Sequence, residues 1–198
     1  MSNSFPFLTI CVPTYNRCNL LDMMLGRLCP ICQELCIPVF VSDNCSTDDT
    51  PAVLEKYSKL YNLNYVIQKT NIGPDCNFEY LLTNVKSQYI WMVSDSSELD
   101  EKELAALFLR INHHSYDFII TGAVHRTEQY KDDVLYRDAN QMLSEIGWHM
   151  TYLSTLIYSS NVIKSLDFNR FYDSNFLQTG VIFEYLSGKG REVNCLFY

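Results

Sequence analysis

Val39-Phe40-Val41-Ser42-Asp43-Asn44-Cys45-Ser46-Thr47-Asp48 passes within ten residues from an apolar run to a carboxylate and a string of small polar groups. An extended segment that ends this way offers hydrogen-bonding groups to a ligand at the carboxyl edge of an α/β sheet. Two other stretches repeat the pattern. Phe7 to Val12 runs into Pro13-Thr14-Tyr15-Asn16-Arg17, and Tyr89-Ile90-Trp91-Met92-Val93 runs into Ser94-Asp95-Ser96-Ser97. Three apolar strands ending in three polar loops predict a site assembled at one edge of a sheet.

Between these strands the apolar spacing is helical. Leu20, Leu21, Met24, Leu25 and Leu28 follow Asn19, which reads as an N-cap, and Pro30 stands where that helix is expected to stop. Thr50 reads as the cap of a second helix starting at Pro51, with Val53, Leu54, Tyr57 and Leu60 on its inward face. Residues 64–68 form a third strand. After the breaker Asn71-Ile72-Gly73-Pro74 comes a helix carrying Phe78, Leu81, Leu82 and Val85, then strand 89–93, a helix over 98–112 with Ser97 as its cap, and strand 116–121. This alternation predicts an α/β fold with a mostly parallel central sheet flanked by helices on both faces. Beyond it, 127–140 reads as a loop, 149–164 is open between strand and helix, 176–186 is helical, and Cys195 to Tyr198 resembles a strand docking at a sheet edge or the cut end of a longer protein.

The chain has 198 residues, 47% hydrophobic and 19% charged, which suits a single domain with a substantial core. Its net charge of −8 argues against a general nucleic-acid surface, since phosphate backbones are held by Lys and Arg. A small anionic ligand remains compatible with it. No basic segment precedes an apolar core at the N-terminus and no apolar run nears about 18 residues, so a cytoplasmic protein is expected, with contact to the inner face of a membrane left open. The eight cysteines read as reduced thiols. Cys29, Cys32 and Cys36 share a helical face, and a semi-buried apolar role at the helix end is favoured there over zinc, because no paired Cys-x-x-Cys or His-x-x-x-His follows.

Val12-Pro13-Thr14-Tyr15-Asn16-Arg17, Val41 to Asp48, Asn71-Ile72-Gly73 and Asp95, in this order over about residues 5 to 125, resemble glycosyltransferase family 2. Within it, Asn71 to Phe78 is most similar to bacterial transferases of dideoxyhexoses such as abequose in O-antigen synthesis. The resemblance implies a GT-A, Rossmann-like fold for nucleotide-diphospho-sugars, and inverting transfer from a nucleoside diphosphate sugar to a saccharide or lipid-linked acceptor in cell-surface polysaccharide synthesis. It also implies one domain over 1–198, with residues 1–125 on the donor and 126–198 on the acceptor.

Donor-binding residues implied in this way are Pro13, Thr14, Tyr15, Arg17, Asp43, Asn71, Gly73 and Asp95. Chemistry agrees: Pro13 and Tyr15 can wall a nucleobase, Asp43 can accept from base or ribose, and Arg17 can face a diphosphate or pair with a carboxylate. A first loop without Gly-rich, basic character disfavours a nucleotidyltransferase that grips a triphosphate.

The family's Asp-x-Asp pattern holds Mg²⁺ or Mn²⁺, and Asp95 and Ser97 occupy its positions, so one carboxylate is missing. A serine hydroxyl is a poorer ligand for a hard cation, with Glu98 nearby. Relatives take their catalytic base from a Glu-Asp pair where this chain has Leu177 and Gln178. Asp173, by proximity, is the candidate catalytic base beside Asp95, ahead of Glu184, His149 and His125. These departures leave a catalytically incomplete nucleotide-sugar-binding domain as the alternative.

Overall fold

The computed structural model describes residues 5–112, 114–122, 133–190 and 192–198. The chain enters the core with strand β1, Leu8–Thr14, all seven residues of which are buried. A strand covered on both faces has no reason to alternate, which is why its sequence is a continuous apolar run. Helix α1, Cys18–Glu34, follows, then β2, Val39–Asp43; α2, Thr50–Leu60; β3, Leu63–Ile67; α3, Pro74–Asn84; β4, Tyr89–Met92; α4, Glu101–Ile111; and β5, Phe118–Ile120. The second half adds β6, Val134–Asp138; α5, Ala139–Ile146; β7, Leu156–Ser159; α6, Ser160–Ile163; α7, Leu177–Lys189; and β8, Glu192–Phe197.

Among the described residues the strands form one sheet in the order β3-β2-β1-β4-β7-β5-β8-β6. Strands β1 to β4 are mutually parallel, β7 runs against both β4 and β5, β8 is parallel to β5, and β6 runs against β8. The sheet is therefore mostly parallel, with two strands reversed. Leu8, Ile10 and Val12 of β1 pack with Leu25 of α1, Leu54 of α2 and Leu107 of α4 on one face. Cys11 points to the other, toward Leu81 of α3, Met142 of α5 and Val181 of α7. Helices cover both faces, as the alternation of elements requires.

Several local expectations are corrected. Helix α1 passes through Pro30 instead of ending there, because Leu28, Cys29 and Cys32 bury against the core on either side of it. That burial offsets the roughly 3 kcal/mol an interior proline costs. Burial also pushes the Cys29 and Cys32 thiols up to about 12, so they stay protonated core residues, whereas Cys36 is exposed. All eight cysteines are free thiols.

Helix α1 starts at Cys18 rather than after Asn19, and α2 has Thr50 inside it rather than as its cap. Leu60 is 63% exposed, so the inward face of α2 is Leu54 and Tyr57, with Val53 partly buried. Helix α4 is capped by Asp100, which accepts from the backbone N–H of Lys102 and Glu103, and not by Ser97. Part of the expected loop 127–140 is β6, whose single buried side chain, Tyr136, is too weak a pattern to read; its residues 127–132 lie outside those described. Strand β8 sits inside the sheet, between β5 and β6, and not at an edge. No helix among the described residues is long and apolar enough to cross a membrane.

Candidate active site

Strands β1, β2 and β4 deliver their loops to one end of the sheet, and side chains there stitch the loops together. Asn16, with φ of 52°, is the hinge of the first loop. Asn tolerates this left-handed conformation because its short polar side chain bonds locally. Its N–H donates to Ser46 Oγ at 2.8 Å, and its Oδ1 accepts from Thr47 N–H at 2.7 Å. Asp43 Oδ1 accepts from the Ser46 N–H at 3.0 Å and from the Ser46 hydroxyl, closing the second loop on itself. Asp43 Oδ2 is buried without a hydrogen-bond partner, and burial pushes this carboxyl above its ordinary range against the pull of Ser46.

Asp48 joins two helices to this frame. Its Oδ2 accepts from Cys18 N–H at 2.9 Å and its Oδ1 from Thr50 N–H at 3.0 Å, so one carboxylate satisfies the first turns of both α1 and α2. Burial raises the acid, but the bonds from Thr50 and Cys18 outweigh it and hold the pKa at about 2. A carboxyl held below its unfolded value near 4 stabilises the fold above that value and loses the contribution as pH falls through about 2. Asp48→Ala is therefore expected to cost about 1 to 2 kcal/mol in urea unfolding at neutral pH. The gap from wild type should close between about pH 4 and about pH 2; a gap independent of pH would remove the carboxylate from this role.

Asn44 ties the second loop to the third. Its N–H donates to Thr14 O, its Nδ2 to Asn71 Oδ1 at 3.0 Å, and its Oδ1 accepts from Ile72 N–H at 2.9 Å. Gly73 then takes φ of 82°, left-handed backbone that glycine adopts without a Cβ penalty, and α3 begins. Asn77 of α3 bonds Ser42 through both ends of its amide.

Asp95 lies where the loops converge, 3% exposed. The Thr14 hydroxyl donates to its Oδ2 at 2.9 Å, and Arg17 Nη1 lies 2.8 Å from its Oδ1. Burial pushes the Asp95 carboxyl upward, while Thr14 and Arg17 draw it back. Around it opens a cleft of about 470 Å³, lined by Pro13, Thr14, Tyr15, Arg17, Asn71 and Asp95 from the expected set. Asp43, Gly73, Ser97 and Asp173 are not in that lining. Asn44, Asn77, Phe78, Ser94 and Leu153 are, and sequence reasoning passed over them as site residues. Asn44 and Asn77 lay inside the motifs quoted above, but nothing local to Leu153 marks it.

The remaining candidates are dispersed. Ser97 Oγ pairs with Ser154 Oγ at 2.6 Å, and Ser154 Oγ also accepts from Ser94 N–H, so Ser97 fastens the β4 loop to the turn before β7. His149 is fully buried against the rings of Trp148 and Phe197. Glu184 is paired with Arg170 at 2.7 Å. His125 lies outside the described residues. Gln178 is 6% exposed, and its Oε1 has no hydrogen-bond partner.

Asp173 is exposed, with φ of 62°. Its loop is fastened to α3: Asp75 accepts from the N–H groups of Asn175 and Leu177, and the Tyr172 hydroxyl donates to Glu79. The same helix lends Pro74, Asn77 and Phe78 to the cleft.

A divalent ion fits these residues poorly. Both oxygens of Asp95 are engaged, Ser97 is held by Ser154, and Glu98 pairs with Arg27. Among the described residues no group of three or more His, Cys, Asp or Glu converges as a metal site.

Residues 9–176 match the model of the family described as "Glycosyl transferase family 2". The chain belongs to glycosyltransferase family 2. The match runs some way past residue 125, where the motifs stop being recognisable, and takes in the Asp173 loop. Among curated family relatives, abequosyltransferase RfbV of Salmonella typhimurium is 28% identical, over 83% of this chain and 56% of its own length. Validoxylamine A glucosyltransferase of Streptomyces hygroscopicus subsp. jinggangensis is 42% identical over 65 residues, 32% of this chain and 15% of that protein. The chain thus spans little more than half the length of the abequosyltransferase.

Among solved structures, S. aureus TarS 1–349 superposes with a TM-score of 0.76 at 22% identity, covering 97% of this chain and 58% of that one. Glucosyl-3-phosphoglycerate synthase from Mycobacterium tuberculosis, in complex with Mn²⁺, UDP and glucosyl-3-phosphoglycerate, gives 0.64 at 12% identity, covering 93% and 67%. At such identities the likeness establishes the GT-A fold.

Proposed function

We propose that this family 2 chain is a glycosyltransferase that moves a sugar, with inversion, from a nucleoside diphosphate donor to a hydroxyl of a saccharide or lipid-linked acceptor. The observation that carries the reading is the cleft at the ends of β1, β2 and β4, whose loops are joined by Asn44 to Asn71 and by Asp95 to Thr14 and Arg17. TarS 1–349 has been crystallised in complex with UDP-GlcNAc, which supports a donor of this class. In this reading Pro13 and Tyr15 flank the nucleobase, Asp43 and Asn44 with Asn71 and Gly73 shape the nucleoside end, and residues 126–198 serve the acceptor. Likeness to the abequosyltransferase supports a role in bacterial cell-surface polysaccharide synthesis, such as O-antigen. The reaction is assigned to the cytoplasm, at the inner membrane face where the acceptor is lipid-linked.

Asp173 is the general base here, because its loop is held to the helix that lines the cleft. Calorimetry with UDP-, CDP-, GDP- and dTDP-sugars, with and without Mn²⁺, is expected to show binding to donors of one nucleobase. Asp173→Asn should then leave donor affinity unchanged and lower turnover by about 10²-fold or more. No binding of any nucleotide would defeat the proposal. Binding without turnover on a panel of saccharide and lipid-linked acceptors would leave a nucleotide-sugar-binding domain.

A further inference from the structure

We infer that Arg17, clamped by Asp95, is the resident cation that meets the donor diphosphate, so that this site works without a divalent ion. The inference rests on the nucleotide-sugar reading above and concerns what neutralises the leaving group.

Four observations carry it. Arg17 is the one lysine or arginine among the described residues lining the cleft. Its side chain is 44% exposed, while that of its partner Asp95 is 4% exposed, so the ion pair is a dipole with its anionic end in the protein and its cationic end toward the cleft. A guanidinium holding one carboxylate oxygen through Nη1 keeps further N–H donors in its planar fork, a geometry suited to phosphate oxygens. Finally, a metal at Asp95 would have to share its carboxylate oxygens with Thr14 and sit beside the like-charged Arg17, and would find Ser97 and Glu98 already engaged. Hard cations favour several oxygen ligands, and Asp95 alone is a thin site.

Asp95 is in this account a positioning residue. The Thr14 hydroxyl fixes one of its oxygens, and the other fixes Arg17. In the transfer, the acceptor oxygen bonds to the anomeric carbon as its proton passes to the base. The bond from that carbon to the diphosphate oxygen breaks, and its electron pair stays with the diphosphate. Arg17 stabilises that developing charge through N–H donors already in place.

The test uses the whole chain and direct binding. UDP, CDP, GDP and dTDP, each beside its nucleoside, are titrated in EDTA and then in Mn²⁺. The diphosphate that binds is expected to do so with affinities within about threefold in the two conditions. Arg17→Met should weaken that diphosphate by about tenfold or more and leave the nucleoside unchanged, and Arg17→Lys should restore part of the loss. Asp95→Asn keeps the side-chain shape but releases the clamp on Arg17, and should weaken the diphosphate by about threefold or more, to the same extent in EDTA and in Mn²⁺, while leaving the nucleoside unchanged.

A gain of about tenfold or more with Mn²⁺ that Asp95→Asn abolishes would overturn the inference while leaving the nucleotide-sugar reading intact. An Arg17→Met variant that binds diphosphate like wild type would overturn it as well. Failure of every nucleoside diphosphate to bind wild type in either condition would take down both.

Discussion

Trp91→Ala is expected to destabilise the protein by about 3 to 5 kcal/mol, the usual range for emptying a large buried aromatic site. Trp91 is 4% exposed in the middle of β4, and its indole N–H donates to Ser154 O at 2.7 Å in a buried setting. The consequence reaches the cleft. Ser154 is the residue whose hydroxyl holds Ser94 N–H and Ser97 Oγ, so losing the indole loosens the loop that carries Asp95. Trp91→Phe separates the two effects. It keeps most of the volume but removes the donor, and should cost about 1 kcal/mol while still weakening nucleotide binding. Urea unfolding followed by circular dichroism measures the stability losses, and calorimetric titration with nucleoside diphosphates measures the effect at the cleft. A loss under about 1 kcal/mol for the alanine variant would mean the site collapses freely and the packing account is wrong.

Thr14→Val should cost about 1.5 to 3 kcal/mol at neutral pH, since it removes a buried donor from a charged acceptor and leaves Asp95 Oδ2 unsatisfied. The shape of the side chain hardly changes, so packing contributes little. The pH dependence follows from Asp95. Burial already pushes its carboxyl up, Thr14 and Arg17 pull it down, and losing Thr14 lets it rise further. A carboxyl whose folded-state pKa exceeds the unfolded value stabilises the fold in acid and loses that contribution as pH rises through the folded value. The deficit of Thr14→Val should therefore be largest near neutral pH and narrow as the solution is acidified. A deficit that grows on acidification would rule out this coupling.

The cleft at the ends of β1, β2 and β4 was legible in the sequence because its loops are local. Each of β1, β2 and β4 is a short apolar run that ends at its own polar loop, and the loops meet only because parallel strands place their carboxyl ends together. What the sequence concealed depends on partners far along the chain. The carboxylate that accepts from the first N–H of α1 is Asp48, thirty residues away, so Asn19 looked the better candidate. Pro30 looked like a stop because the burial of Cys29 and Cys32 that overrides it is a tertiary fact. Ser97 read as a metal position or a helix cap until Ser154, 57 residues later, took its hydroxyl. Arg17 was left between diphosphate and carboxylate, and the structure pairs it with Asp95, a carboxylate of the β4 loop 78 residues further along the chain.

The reversed strand β7 has a consequence for how the molecule is made. Tyr89 to Met92 of β4 pair on one side with Leu8 to Cys11 and on the other with Leu156 to Ser159. During synthesis the β1 to β4 half is complete well before its remaining partner leaves the ribosome. Throughout that interval β4 presents an unpaired edge whose four residues are all ones the finished protein buries, the kind of edge that recruits foreign strands. Fragments ending ahead of Leu156 should accordingly aggregate more than fragments reaching past Ser159, in which β4 is closed and β5 is the edge still waiting for β8. The antiparallel seam at the centre of the sheet thus sets the point in translation at which the β4 edge is closed and the exposed edge passes to β5.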